Sequence, residues 1–181
     1  MVTFNQADAD AEASHCAMLP FTRNVFDPMD FTPMNLYKIP TSVVRKTTSA
    51  FELALSVLFL SGIQHFAESP EGMSHVPVYV KTFLQELPVR WDDVKFISGY
   101  PGKDAVIARK AGAKWYIAGI NGENVAKTST IDLAQFGKKS ATLIADGLEA
   151  LTFTTETKQI GPKENKEIAM KPNGGFVLIL E

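Results

Sequence analysis

The chain has 181 residues, of which 45% are hydrophobic and 21% charged, with a formal net charge of −2. That is the composition of a globular protein with enough chain to bury a core, and it offers no basic stripe to neutralise nucleic-acid phosphates. The single cysteine, Cys16, excludes an intramolecular disulfide and a cysteine-based zinc site.

The opening MVTFNQADADAE is polar and acidic, unlike a secretory signal. LPFTRNVFDPMDFTPM, from Leu19 to Met34, then places Arg23, Asn24, Asp27, Asp30 and Thr32 around Pro28 and Pro33. Read as a strand, MDFT puts Asp30 and Thr32 on one face and Met29 and Phe31 on the other. Asp30 is therefore a candidate carboxylate facing a ligand site, against the plainer reading of a solvated strand end. Arg23 is a candidate at the mouth of the same site, because its planar fork suits a carboxylate. The plainer reading of Arg23 is a structural salt bridge.

Ser49 with Glu52 three residues later reads as a capping box in front of AFELALSVLFLSGI. The run is too short to span a bilayer. It is apolar nearly all round, so its helix has to be covered on more than one side. AESPEG, with Glu68 and Glu71, reads as a surface turn. A second helix starts with Pro77 in its first turn, carries Val80, Phe83, Leu84 and Leu87, and stops at Pro88. His15, His65 and His75 show no metal spacing, and His65 reads as a hydrogen-bonded cap.

After Pro88 the pattern changes to short β-rich runs. AVIARK and KWYIAGIN predict a hairpin around Gly112. STIDLAQF, SATLIADG and ALTFTTETKQI follow as strands, and Gly161 to Lys166 as a charged loop. EIAMKPNGGFVLILE predicts a second hairpin turning at Pro172 to Gly175. The fold class is α+β: a helical half over residues 1–88, then an antiparallel sandwich over residues 89–181, large enough to fold alone. Trp91, Trp115 and Tyr116 would stack on sugars if exposed and fill the core otherwise. The chain has no nucleophile elbow, phosphate loop or dinucleotide fingerprint.

LPFTRN, MDFTP, ELALSVLFLSGIQHFAESPE and LPVRWDDVKFISGYPGKDAVIARKAGAKWYIAGINGE, in this order, closely resemble the C-terminal part of glycoside hydrolase family 97. The likeness runs from about Met18 to Glu181. It implies an α-glucosidase or α-galactosidase acting on α-linked oligosaccharides or glycosides in the complete enzyme. It further implies that residues 1–88 are the C-terminal part of a (β/α)8 catalytic barrel and residues 89–181 the closing β-sandwich. LPFTRN to MDFTP would then supply the last barrel strand and the loop before it. Barrel active sites lie at the C-terminal strand ends, so Arg23 and Asp30 would line the substrate.

In that family the catalytic carboxylates and the calcium-binding glutamates precede this region. The resemblance therefore carries over no catalytic residue, no metal ligand and no cofactor. Calcium belongs to the complete enzyme, and the chain alone is expected to be inactive. Complete members are expected to be periplasmic or exported. Glu12, in ADAEASH, does not look like a catalytic strand end. Without its barrel, the Ser49 helix would lie open and drive self-association. The alternative reading is a stand-alone carbohydrate-binding or interaction sandwich.

Overall fold

The computed structural model describes residues 5–32, 35–38, 42–161 and 164–181. Pro33, which closes the MDFTP motif, and the middle of the charged loop at 162–163 lie outside them. Among the described residues five α-helices precede eight strands: α1 (Gln6–Met18), α2 (Arg23–Phe26), α3 (Ser49–Leu58), α4 (Pro70–His75), α5 (Val78–Gln85), β1 (Asp93–Tyr100), β2 (Asp104–Ala111), β3 (Lys114–Asn121), β4 (Lys127–Asp132), β5 (Ser140–Asp146), β6 (Phe153–Gln159), β7 (Asn165–Met170) and β8 (Gly175–Leu180).

Helix α1 was not expected from the sequence, because its inner face is made of alanines. Asn5 caps it by accepting from the Asp8 amide at 2.9 Å. Ala9, Glu12, Ala13, Cys16 and Ala17 recur at helical spacing and are buried. Their small size lets the helix approach backbone closely. A Cβ built on Gly122 would stand 2.8 Å from the Ala17 Cβ and 2.9 Å from the Ala13 carbonyl oxygen.

Helix α3 starts one step away from the predicted box. Thr48 is the cap and accepts from the Phe51 amide at 3.0 Å. Ser49 is the first helical residue, and its hydroxyl donates to the Leu36 carbonyl at 2.6 Å. Glu52 does not reach back to a cap amide; it accepts from the Thr47 hydroxyl at 2.5 Å. All ten residues of α3 are buried. The exposed α3 from which self-association was expected is thus not found, since the large sheet and the helical segments around it cover the helix.

That sheet has six antiparallel strands in the order β1-β2-β3-β8-β5-β6, and β4 and β7 form a separate ribbon. Alternate residues build two cores. Ile107, Tyr116, Ala118, Ile120, Ile144 and Val177 face α3. Val106, Ala108, Trp115, Ile117, Phe176 and Leu178 face the ribbon, whose Ile131, Ile168 and Met170 close over them. The β2–β3 hairpin turns at Gly112, φ +56°, in register with the sequence reading.

EIAMKPNGGFVLILE is not a hairpin. β7 pairs only with β4, while β8 inserts between β3 and β5. FVLIL is apolar on both faces and belongs at a sheet centre. IAM alternates, which suits a ribbon with one wet face. The segment between them is a corner linking two sheets. Asp146 pins it: its carboxylate accepts from the Lys171 amide at 3.0 Å, the Gly175 amide at 3.3 Å and the Thr48 hydroxyl at 2.5 Å. One side chain thereby ties the sheet corner to the α3 cap. Asp146→Ala is expected to lower the unfolding free energy by about 2–4 kcal/mol. Urea titration checks this, and a loss within experimental error would remove the corner-pin role.

Candidate functional site

The LPFTRN segment is not a strand. It forms a 3-10 turn over Leu19–Phe21 followed by α2, so Arg23 opens a short helix. The extended backbone begins only after Pro28. The Met29 amide donates to the Leu60 carbonyl at 3.0 Å, the His65 amide donates to the Phe31 carbonyl at 3.3 Å, and Phe31 bridges Gln64 in parallel. Asn24 fixes the entry, donating from Nδ2 to the Leu60 carbonyl at 3.0 Å and accepting from the Leu60 amide at 3.2 Å. The two parallel extended segments are joined through α3. This is the order of a strand–helix–strand unit.

Within the MDFT segment the period-two reading holds. Met29 and Phe31 are buried, and Phe31 packs edge-on against Phe59 with ring centres 4.8 Å apart. Asp30 and Thr32 point outward and are exposed, as is Arg23. Neither Arg23 nor Asp30 makes a side-chain hydrogen bond or ion pair among the described residues, so the salt bridge weighed for Arg23 is not formed there. Beside them Val25, Phe26 and Ile63 expose large apolar surface, with Phe26 82% accessible.

Glu68 is not the surface-turn residue expected. Its Oε2 accepts from the Leu36 and Tyr37 amides at 2.7 and 3.0 Å, and its Oε1 accepts from the Ser69 amide at 2.9 Å. It clamps residues 35–37 to the start of α4, while Glu71 stays exposed. The His65 backbone amide closes the bridge to Phe31, and the His75 ring stacks on Tyr37 at 4.2 Å.

The remaining carboxylates of note are Glu12 and Glu52, 3% and 2% exposed. Burial, reinforced by the Glu52 charge, raises Glu12 to about 7, with nearby positive charge including Arg45 opposing it. A pKa near neutrality suits a general acid, but both groups are sealed beneath α1 and α3, out of reach of any substrate. Arg45 donates to the Ser49 hydroxyl at 2.8 Å and to the Thr47 carbonyl at 3.1 Å. The cluster is structural. Among the described residues no group of three or more His, Cys, Asp or Glu stands close enough to hold a metal ion.

The aromatics do not form a sugar platform. Trp115 and Tyr116 are buried. Trp115 packs on Phe136 at 5.1 Å, and Trp91 packs edge-on against Tyr116 at 5.5 Å. The three rings weighed for sugar stacking offer no stacking face, because Trp115 and Tyr116 fill the two cores and Trp91 packs against Tyr116.

Residues 90–181, half of the chain, match the family described as glycosyl-hydrolase 97 C-terminal, oligomerisation. A probable retaining alpha-galactosidase of Streptomyces bingchenggensis (strain BCW-1) is 35% identical over 168 residues, covering 92% of this chain and 26% of that protein. The crystal structure of a beta-arabinopyranosidase has a TM-score of 0.90 at 31% identity, covering 97% of this chain and 29% of its own. A glycoside hydrolase family 97 enzyme variant from Pseudoalteromonas sp. strain K8, in complex with panose, has a TM-score of 0.83 at 27% identity, covering 93% of this chain and 28% of its own. The chain spans about a quarter of the length of the curated relatives it matches. On the family match to its sandwich and these likenesses along nearly its whole length, the chain belongs to glycoside hydrolase family 97 and corresponds to the C-terminal portion of its members.

Proposed function

We propose that this chain is the non-catalytic C-terminal end of a retaining family 97 glycosidase acting on α-galactoside-type substrates. Residues 1–88 would complete a (β/α)8 barrel, and residues 89–181 would form the closing sandwich and serve oligomerisation. The observation that carries the reading is the strand–helix–strand order of Met29 to His65, flanked by the bare apolar side chains Val25, Phe26 and Ile63. Such a flank calls for further covering strands and helices. Asp30 and Arg23 then lie at the rim, as substrate-lining residues.

The galactoside assignment draws on the retaining alpha-galactosidases among the relatives and on the beta-arabinopyranosidase. If that enzyme's substrate is of the L series, its ring has the configuration of an α-D-galactoside without the hydroxymethyl group, which is why the two activities support one substrate class. The panose complex supports a second reading, an α-glucoside substrate.

Retaining hydrolysis needs two carboxyl groups about 5–5.5 Å apart, and Asp30 offers one at most. Calcium, if used, would be held by residues outside this chain. The 181-residue chain is expected to release no nitrophenol from aryl α-galactoside or α-glucoside, with or without calcium. The complete enzyme should prefer the galactoside, and Asp30→Asn there should raise KM about tenfold with a smaller change in kcat. Turnover by the isolated chain that vanishes on Asp30→Asn would overturn this reading.

A further inference from the structure

Among the described residues an apolar groove opens on one face of the sandwich. The ribbon closes one face of the large sheet. On the other face α3 covers β3 and β8, and α5 covers the near end of β3. Beyond them, toward β5, runs a groove of about 560 Å³. Tyr79 of α5 forms one wall, and Tyr116, Ile179, Thr142 and Ile144 line the sheet side. Val78, in the first turn of α5, borders the groove and is 75% exposed.

We infer that this groove is the surface through which the chain associates with a second copy of itself, Val78 of each copy seating in the groove of the other about a two-fold axis. The inference rests on the reading that residues 89–181 serve oligomerisation, and it names the surface. The strands lining the groove all lie within the matched residues 90–181. A protruding apolar side chain beside an apolar groove is self-complementary under a two-fold rotation.

The other exposed parts of the sheet suit the task less. Edge strand β6 carries Glu156 and Lys158, with Lys166 of the ribbon 2.6 Å from Glu156, and charge on an edge blunts strand addition. Edge strand β1 is bulged between Phe96 and Ser98, and Phe96 packs on Phe21 at 5.7 Å, on the side proposed for the barrel. At the groove's end Lys114 pairs with Glu181 and stands 3.9 Å from Glu86, so the charged groups gather at one rim and the rest of the lining is left apolar.

Sedimentation equilibrium of the 181-residue chain tests this. A concentration-dependent dimer is expected, and raising salt should not weaken it, because the contact is apolar. Val78→Glu should raise the dissociation constant at least tenfold while leaving the circular dichroism and melting temperature unchanged, since an acid in the first turn of a helix is tolerated. Val94→Glu, on the β1 edge, should leave the dimer intact. A dimer that survives Val78→Glu but is lost with Val94→Glu, or one that salt dissolves, overturns the groove while leaving oligomerisation standing. A chain that stays monomeric at all concentrations overturns the oligomerisation reading and the groove together.

Discussion

Arg109→Ala is expected to lower the unfolding free energy by about 3 kcal/mol. The last turn of a helix leaves carbonyls without intrahelical partners. At the end of α3, Arg109 from β2 supplies two of the missing donors. Its Nε donates to the Val57 carbonyl at 2.8 Å and its Nη2 to the Leu58 carbonyl at 3.0 Å. Its positive charge also sits at the negative end of the helix dipole. Burial lowers the guanidinium pKa to about 10, which still leaves it charged at neutral pH. Truncation would strand two buried carbonyls and open a void between sheet and helix. Arg109→Lys keeps the charge but not the fork, and should recover less than half of the loss. Urea titration of the three proteins checks the ordering. A cost below about 1 kcal/mol for Arg109→Ala would show that water reaches the helix end and serves it instead.

Glu12→Gln is expected to stabilise the chain relative to the parent, by an amount that grows with pH. The folded-state pKa of Glu12 is about 7, raised from 4.5 first by burial and then by Glu52. A carboxyl whose folded pKa is raised binds its proton more tightly in the native state. Its favourable contribution is complete below about pH 4.5, declines as pH rises toward 7, and is flat above that. Glu52 on α3 adds to the rise, and nearby positive charge, Arg45 included, opposes it. Cys16, on the same helix, is pushed up by burial and by Glu52, and stays a thiol throughout this range. A shift of this size corresponds to about 3 kcal/mol. Stability of Glu12→Gln minus that of the parent should therefore increase by about that amount between acidic and mildly alkaline pH. A difference independent of pH would mean that Glu12 titrates as an ordinary carboxylate.

The two expectations concern the same joint from opposite ends. Arg109 fastens the C-terminal end of α3 to the sheet, and at its N-terminal half Glu52 lies buried close enough to Glu12 of α1 to raise its pKa. Thr48 and Asp146 link the α3 cap to the corner between the two sheets. Helix α3 is thus the element on which the helical segments and the sandwich are assembled. Its burial explains why a helix apolar on all sides occurs in a chain of ordinary composition.

Local signals were legible in the amino-acid sequence wherever one residue's chemistry decided the backbone. Gly112 set the β2–β3 turn, Pro77 and Pro88 bracketed α5, and the alternation at Met29 to Thr32 told inward from outward side chains. The ordered family motifs placed the chain in family 97. Long-range choices were not legible, because they depend on which surfaces compete for the same partner. KPNGG looks like a hairpin turn, yet FVLIL gains more burial between β3 and β5 than beside IAM, so the chain changes sheets there. The alanine face of α1 carries little hydrophobic signal, and its value appears only against Gly122. Glu68 in AESPEG reads as a surface acid until the amides of Leu36 and Tyr37 converge on it. For the same reason the sequence alone determined the family and the antiparallel β-rich second half, while the tertiary structure decided which apolar surface is buried and which is left open. Helix α3, the most apolar segment, is fully covered by the sheet and the helical segments around it, and the open groove beside α5 is lined by residues scattered over α5, β3, β5 and β8 that no local pattern connects.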